Sequence, residues 1–370
     1  FRISGKINIH DLSLKIPNLN YSKEENTKAD VDFYINGSKF GYDIGRLLYS
    51  SGKSKIELDQ VSLNKKLEIK DIRNIKVTTF NDNDKKNDFH IGKHGTLKNT
   101  IFVIGELIDA EPLLKSLYKT KDKKTFSKDF NSEIKVNLDK AITGSNDDVY
   151  DLSMIASIKK GAYNKLSLKG NFSANEIIEM SIYKVDNNKR TLQLISDRAK
   201  PFIKNFNFIK GFEGGKLEYE STITKEGTNS NLLITDFKVS KVPALAKLLT
   251  LASLQGIADT LSGEGIRFDS FEMKSNSEGN VMNIEDALAM GPAISILLEG
   301  YVDKGKIVSL RGTLVPATKL NSIIASIPLV GDILVGKKTG EGVVGVSFKM
   351  KGPPKDIKTT VNPIKTLTPR

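Results

Sequence analysis

Strict alternation of apolar and polar residues is the feature that most constrains how this chain folds. The stretch 134–138 reads Ile-Lys-Val-Asn-Leu, and the stretch 217–221 reads Leu-Glu-Tyr-Glu-Ser. Successive side chains of a β-strand point to opposite faces, so this pattern places the apolar side chains on one face of a sheet. Turn signals such as Asp186-Asn187-Asn188 separate many such runs. We therefore predict a mainly β fold of antiparallel strands.

The number of strands limits the architectures that the sheet can adopt. Towards the end of the chain, strands are predicted near 266–275, 280–290, 293–302 and 306–315. At about 4.8 Å between neighbours, on the order of twenty strands would make a flat sheet ~100 Å long. Such a sheet must close, split or remain an elongated trough. The alternation alone favours a sandwich of two sheets, and an open trough with an apolar lining is the other interpretation.

The candidate lining is the set of apolar residues that share one strand parity. In a sandwich they would form the core between two sheets, and in a trough they would contact a ligand. These candidates are Ile134, Val136, Leu138, Leu152, Met154, Leu166, Leu168, Leu217, Tyr219, Val344, Val346, Phe348 and Met350.

Helical signals are few and short. Asp109 is a suitable N-cap for a short helix, and another is predicted over 199–205. The longest predicted helix covers 243–261, with Pro243 at its first position, and a further apolar helix covers 319–326. The helix over 243–261 is apolar nearly all round, so it must be covered on most sides or lie against something apolar. The predicted capping or membrane-contact residues are Leu245, Leu248, Leu249, Ile257, Leu261, Ile323, Ile324 and Ile327.

No arrangement of residues in the sequence indicates catalysis or a metal. The chain has no cysteine, which excludes thiolate chemistry and disulfides. His90 and His94 have the spacing of a metal pair on a helix, but the glycines around them make a strand-to-loop turn the better interpretation. No nucleophile elbow or phosphate-binding glycine loop is found. We predict that the protein is not an enzyme and has no cofactor.

The chain is basic, with a formal net charge of +12. This charge favours anionic partners, although a lysine-rich composition is equally typical of an AT-rich genome. No recognition helix or aromatic-basic strand motif is present, so we predict no nucleic-acid binding. No apolar run reaches the roughly eighteen residues that a transmembrane helix requires. The first residue is Phe1 rather than Met, so we expect a processed or partial chain.

Residues 196–370 carry the most specific motifs of the chain. The strongest are RGTLVPATKLNSIIASIPLVGDIL at 311–334 and GEGVVGVSFKMKGPPKD at 340–356. Further matching pieces lie in order at 196–199, 212–217, 233–239, 242–272 and 361–364. Together they resemble the AsmA-like C-terminal region of large bacterial envelope proteins, the YhdP and AsmA group. Residues 1–195 share with that group mainly the rhythm of strands, so we divide the chain into 1–195, a repeated β-strand segment, and 196–370.

The resemblance implies a bridge-like lipid transport protein of a Gram-negative-type bacterium. It implies an elongated antiparallel β-trough, or half-pipe, with a few short apolar helices near its C-terminal end. Phospholipid acyl chains would lie in the apolar groove and pass between the inner and outer membranes through the periplasm. The anchor in the inner membrane would lie outside this chain. The alternative is a non-transporting scaffold for envelope assembly, whose apolar face docks a protein partner. A third possibility is a module that senses or buffers lipid without moving it.

Overall fold

A computed structural model describes residues 1–81, 84–93, 99–112, 126–144, 147–186, 188–203, 211–303, 305–316, 345–354 and 356–363. Within these ranges the chain is mainly β, with few helices. It divides into two compact units, unit 1 at Phe1–Asn187 and unit 2 at Asn188–Arg370. The predicted boundary between 195 and 196 lies eight residues further along the chain, within the strand Arg190–Ser196.

Unit 1 is built on eleven strands that pair side by side, β1 and β4–β13. Neighbours in this series are antiparallel except β9 and β10, which run parallel, and β1 pairs with β4. A separate hairpin of β2 and β3 flanks a short 3-10 helix at Pro17–Leu19. The strands are β1 (Arg2–Asn8), β2 (Leu14–Ile16), β3 (Tyr21–Lys23), β4 (Asp30–Ser38), β5 (Gly41–Ser51), β6 (Ser54–Asn64), β7 (Ile69–Asn81), β8 (Asp84–Lys93), β9 (Thr100–Asp109), β10 (Ser132–Ile142), β11 (Val149–Lys159), β12 (Ala162–Ser173) and β13 (Glu176–Lys184).

Unit 2 contains nine strands in one antiparallel series, together with short helices. In the described residues β14 does not pair with β22, nor β1 with β13 in unit 1, so neither series is closed. The strands are β14 (Arg190–Ser196), β15 (Gly211–Ile223), β16 (Thr228–Ser240), β17 (Ile266–Glu278), β18 (Val281–Met290), β19 (Ile294–Asp303), β20 (Ile307–Pro316), β21 (Val346–Gly352) and β22 (Lys358–Pro363). The helices are α1 (Lys200–Ile203), α2 (Pro243–Leu251) and α3 (Gln255–Ser262).

The prediction of a mainly β, antiparallel fold is confirmed. In β10 and β15 the apolar residues of the alternating stretches are buried or half-buried, whereas Asn137, Glu218 and Glu220 are exposed. The alternation breaks in β11, where Asp151 adopts a φ of +51° and the register shifts. Tyr150, which shares the sequence parity of Leu152, is therefore exposed, with the Lys140 ammonium 5.4 Å from its ring centre.

The predicted single helix over 243–261 is divided into α2 and α3. Ala252 to Leu254 separate the two helices, and Ser253 has a φ of +61°, which a right-handed helix does not allow. The Leu254 amide donates instead to the Leu249 carbonyl at 2.9 Å. The predicted helix over 319–326 lies outside the described residues. None of the helices in the described ranges has the length and apolar character that crossing a bilayer requires.

Candidate functional site

One line of apolar residues crosses ten neighbouring strands of unit 1, and we call it the central row. Each member lies directly opposite the next on the adjacent strand, from β4 through to β13. Cross-strand partners share one face of a sheet, so the row is continuous on that face. Its members are Phe33, Leu47, Leu58, Ile75, Ile91, Val103, Val136, Met154, Leu168 and Met180.

The central row is more accessible than the rows on its two sides. Every member except Val136 is half-buried. The flanking rows are mostly buried, and only a few of their members, such as Ile44, Leu152 and Ile182, are half-buried. The buried members are Tyr49, Ile56, Val77, Phe89 and Leu138 on one side, and Val61, Ile72, Ile101, Ile134, Ala156 and Leu166 on the other. The face of unit 1 therefore has covered margins and an open middle.

The first margin is covered by residues 9–29, which we call the hairpin segment because it contains β2 and β3. Its Ile9, Tyr21 and Ala29 are buried in the same apolar cluster as the sheet. The Tyr21 hydroxyl lies 2.7 Å from the Tyr49 hydroxyl, and burial is the main cause that raises the pKa of Tyr49. The Tyr49 phenol therefore stays neutral at physiological pH, as its apolar surroundings require.

Asn87 fixes the hairpin segment to the sheet. This fully buried side chain donates to the Leu19 carbonyl at 2.8 Å and to the Thr79 hydroxyl at 2.9 Å, and its oxygen accepts from the Asp109 amide at 3.0 Å. The Asp109 carboxylate in turn accepts from Asn20 at 2.9 Å and from the Glu111 amide at 3.0 Å, as the predicted N-cap would. The cover is thus held by specific polar contacts rather than by apolar packing alone.

The opposite margin is covered by residues 126–130, which we call the bridging segment. The Ser127 amide donates to the Ile69 carbonyl at 2.9 Å, and the Gly161 amide donates to the Phe130 carbonyl at 3.0 Å. The rings of Phe126 and Phe130 stack with centroids 4.5 Å apart. These contacts join strand ends from different parts of unit 1 above its buried margin.

Unit 2 has a corresponding line of cross-strand partners, but its side chains are less uniform. It consists of Leu194, Tyr219, Leu232, Met273, Ala287, Leu298, Gly312, Phe348 and Val361. Ala287 and Gly312 are small, and a Cβ on Gly312 would stand 2.8 Å from the Phe348 ring, so Phe348 fills the space above that glycine. Phe348 is consequently buried rather than half-buried.

A polar row adjoins this line in unit 2, and we call it the serine row. Ser221, Ser230 and Ser275 lie directly opposite one another on β15, β16 and β17. Ser230 donates to Ser221 at 3.0 Å and lies 2.9 Å from the Tyr219 hydroxyl. Part of this face of unit 2 is therefore polar, whereas the central row of unit 1 is apolar.

The helices of unit 2 cover the strand ends at which three phenylalanines stack. Phe212, Phe237 and Phe268 lie on successive strands with neighbouring centroids 5.4 Å apart. Of the predicted capping residues, Leu248, Leu249 and Leu261 are fully buried inside the unit, so they are not free to touch a membrane. Leu245 and Ile257 are half-buried, and Ile323, Ile324 and Ile327 lie outside the described residues.

The structure places the predicted lining residues in several different rows. Val136, Met154 and Leu168 belong to the central row, whereas Ile134, Leu138 and Leu166 lie in its buried margins. In unit 2, Leu217 and Val346 are buried and Met350 is half-buried. Leu152 lies opposite Leu138, Tyr219 and Phe348 belong to the unit 2 line, and Val344 lies outside the described residues.

The central-row residues of β4–β8 were not singled out by the sequence. Their alternation is broken by aligned bulges, at which Gly45, Gln60 and Arg73 are skipped in the pairing. The signal that could have found them is the Leu58 to Val61 spacing, three residues instead of two, combined with the positive φ of Gln60.

Ionisable side chains lie mainly on the opposite, outward face. The Lys238 ammonium lies 2.8 Å from Glu213 and lowers the pKa of that carboxyl, and Lys55 does the same to Glu57. His90 lies 2.6 Å from the Asn74 amide oxygen, and its pKa is lowered by burial and by Lys76. His94 lies outside the described residues, which hold no cluster of groups that could bind a metal.

No family model, curated protein or solved structure matches this chain.

Proposed function

We propose that the chain binds phospholipid acyl chains along its apolar sheet faces and forms part of a bridge that conducts phospholipid between membranes. The observation that carries the proposal is the half-buried central row between two buried margins. A β-sandwich has the opposite order of exposure, because the second sheet covers the middle of the face most completely. An open middle suits a ligand that lies along the row.

The length and uniformity of the central row favour a path over a single binding site. Ten strands at about 4.8 Å spacing extend ~43 Å, whereas one leaflet contributes roughly 15 Å to the hydrocarbon core of a bilayer. More than one lipid could therefore lie along the row. Each buried CH₂ of an acyl chain is stabilised by about 0.8 kcal/mol. Because the side chains along the row are of similar type, no position should bind an acyl chain much more tightly than its neighbours.

The contact between helix α2 and strand β22 supports a curved, trough-like sheet in unit 2. Helix α2 follows β16 and contacts β22, six strands further along the series. In a flat sheet these strands would stand about 29 Å apart. A helix of nine residues is only about 14 Å long, so the contact favours a sheet that curls towards the helix.

The wider role in this proposal follows the motifs of residues 196–370. The chain would be the periplasmic portion of a bacterial envelope protein that is anchored in the inner membrane and delivers phospholipid towards the outer membrane. The proposed activity needs no catalytic group and no cofactor. Nearly equal affinity along the apolar row would let lipid diffuse along it without meeting a deep trap.

The test compares the central row with the outward face. Ile75 and Ile91 are half-buried cross-strand partners in the central row, so Ile75→Asp with Ile91→Asp places two charges where acyl chains would lie. Ile155 on the outward face is 60% exposed, which makes Ile155→Asp the matched control. Each protein is incubated with phospholipid vesicles and re-isolated, and its bound phospholipid is extracted and quantified.

We expect the double variant to lose most of its bound phospholipid and the control to keep it, with circular dichroism unchanged in both. If charge unfolds the double variant, Ile75→Gln with Ile91→Gln replaces it and should give a smaller loss. Unchanged phospholipid in a folded double variant would refute the path. A parent chain that binds no phospholipid would favour the alternative role, in which the apolar face docks a protein partner.

A further inference from the structure

We propose that two neighbouring turns of unit 1 form a docking surface for anionic phospholipid membranes, with Phe40 and Leu67 inserting between the headgroups. The turns join β4 to β5 at 38–41 and β6 to β7 at 64–68, and Gly41 pairs with Asn64, so they lie side by side. We call them the paired turns. The inference concerns attachment to a membrane surface and does not rest on lipid binding by the central row.

The first observation is the exposure of two large apolar side chains at these tips. Phe40 is 70% exposed and Leu67 is 66% exposed, and in the described part of the chain only Phe1 exceeds them among large apolar residues. A single exposed apolar residue is ordinary on a protein surface. Two on adjacent tips form a small apolar projection that water solvates poorly.

The second observation is the backbone of Leu67. The described chain has nine non-glycine residues with positive φ, and Leu67, at +63°, is the only apolar one. Its turn is fixed by Asn64, whose amide donates to the Glu68 carbonyl at 2.9 Å while its carbonyl accepts from the Leu67 amide at 3.0 Å. Glycine is the usual residue at such a left-handed hairpin position. Leucine is strained at this position and remains 66% exposed, which favours a contact of its side chain outside the fold.

The third observation is the charge around the two tips. The paired turns carry Lys39, Lys65 and Lys66, and their one carboxylate, on Glu68, accepts from the side-chain amide of Asn64 at 2.7 Å. The Lys39 ammonium lies 5.1 Å from the centre of the Phe40 ring, and Lys65 lies 5.2 Å from that of Tyr42. Apolar tips ringed by lysines match a surface of negative headgroups above hydrocarbon.

Nucleic acid fits this surface less well than a membrane does. Stacking on bases needs aromatic rings along a groove, whereas Leu67 offers no ring. A membrane uses both features at once, since apolar side chains enter the acyl boundary while ammonium groups remain at phosphate depth.

The absence of tryptophan from the chain allows a direct probe of insertion. Phe40→Trp introduces a single tryptophan at the tip, and Ile155→Trp introduces one on the outward face as the control. Each is mixed with vesicles of phosphatidylcholine alone or with three parts in ten of phosphatidylglycerol. We expect the emission of Phe40→Trp to shift to shorter wavelength only with the anionic vesicles, and that of Ile155→Trp to stay unchanged.

A second measurement separates docking from a structural role of the turn. Leu67→Gly relieves the left-handed strain, so we expect Tm to be unchanged or raised by about 1–3 °C. The same change should weaken partition onto anionic vesicles by about 5- to 10-fold. Lys65→Glu with Lys66→Glu should weaken it at least as much at low salt, and Ile155→Ser should leave it unchanged.

Two outcomes would overturn the proposal. One is a Phe40→Trp emission that anionic vesicles leave unchanged, and the other is a Leu67→Gly variant that partitions as well as the parent. Phospholipid bound by the central row, extracted from the same Leu67→Gly protein, should equal that of the parent. Failure of the docking surface and failure of the lipid path therefore give different results.

Discussion

Unit 1 and unit 2 both present an apolar sheet face, but they cover it in different ways. In unit 1 the hairpin and bridging segments cover the margins and leave a row of large apolar side chains open between them. In unit 2 the matching line contains Ala287 and Gly312, Phe348 fills the space above the glycine, and the serine row lies beside it. Equal strand patterns can therefore leave a row of large side chains open along its length or fill one part of it, depending on where small residues stand.

The two faces should differ most in the free energy of unfolding that is lost when one side chain is truncated to alanine. Phe348 is buried above Gly312, so Phe348→Ala should destabilise the protein by about 3–5 kcal/mol. Leu168 is half-buried in the central row, and Leu168→Ala should cost about 1–2 kcal/mol. Urea unfolding followed by circular dichroism measures both. Equal losses would mean that Leu168 in the central row is as closely packed as Phe348 is above Gly312.

The cover of unit 1 can be loosened by a change at Asn87. Asn87→Ala leaves the Leu19 carbonyl, the Thr79 hydroxyl and the Asp109 amide without this partner, at a cost of about 2–3 kcal/mol. We expect faster hydrogen exchange in the hairpin segment and little change in unit 2. The control Asn137→Ala removes an exposed amide from β10 and should leave exchange unaltered. Unchanged protection in Asn87→Ala would show that apolar packing alone retains the cover.

A smaller, pH-dependent difference should also distinguish the units, because all three histidines precede residue 188. The pKa of His90 is lowered in the folded chain from its ordinary value of 6.5. Just below pH 6.5 the unfolded chain therefore binds more protons than the folded chain. The contribution of His90 to the free energy of unfolding is complete above pH 6.5 and is lost as the pH falls from there through the lowered pKa. Unfolding measured between pH 7.5 and 5.5 should depend less on pH in His90→Gln. Identical pH profiles for the parent and His90→Gln would contradict this assignment.

The strands and their antiparallel pairing could be predicted from the sequence, because alternation of period two is a local property. The part of the central row on β4–β8 could not, because it depends on how bulges at Gly45, Gln60 and Arg73 align across neighbouring strands. The break between α2 and α3 was hidden for a related reason. Ser253 breaks the helix only through its backbone conformation. The spacing of apolar residues carries no information on backbone conformation, so the break could not be predicted from it.

The docking surface was invisible to pattern analysis for a third reason. Phe40 and Leu67 stand in turns, where no periodicity exists, and only their exposure and the φ of Leu67 distinguish them from residues that pack inward.

The most direct test of the account is native mass spectrometry of the unmodified chain, purified without detergent, with extraction and identification of any bound lipid. An open central row ~43 Å long predicts several phospholipid molecules on each chain. A folded chain that carries none after incubation with phospholipid vesicles would contradict the lipid path and indicate that the central row is covered by protein.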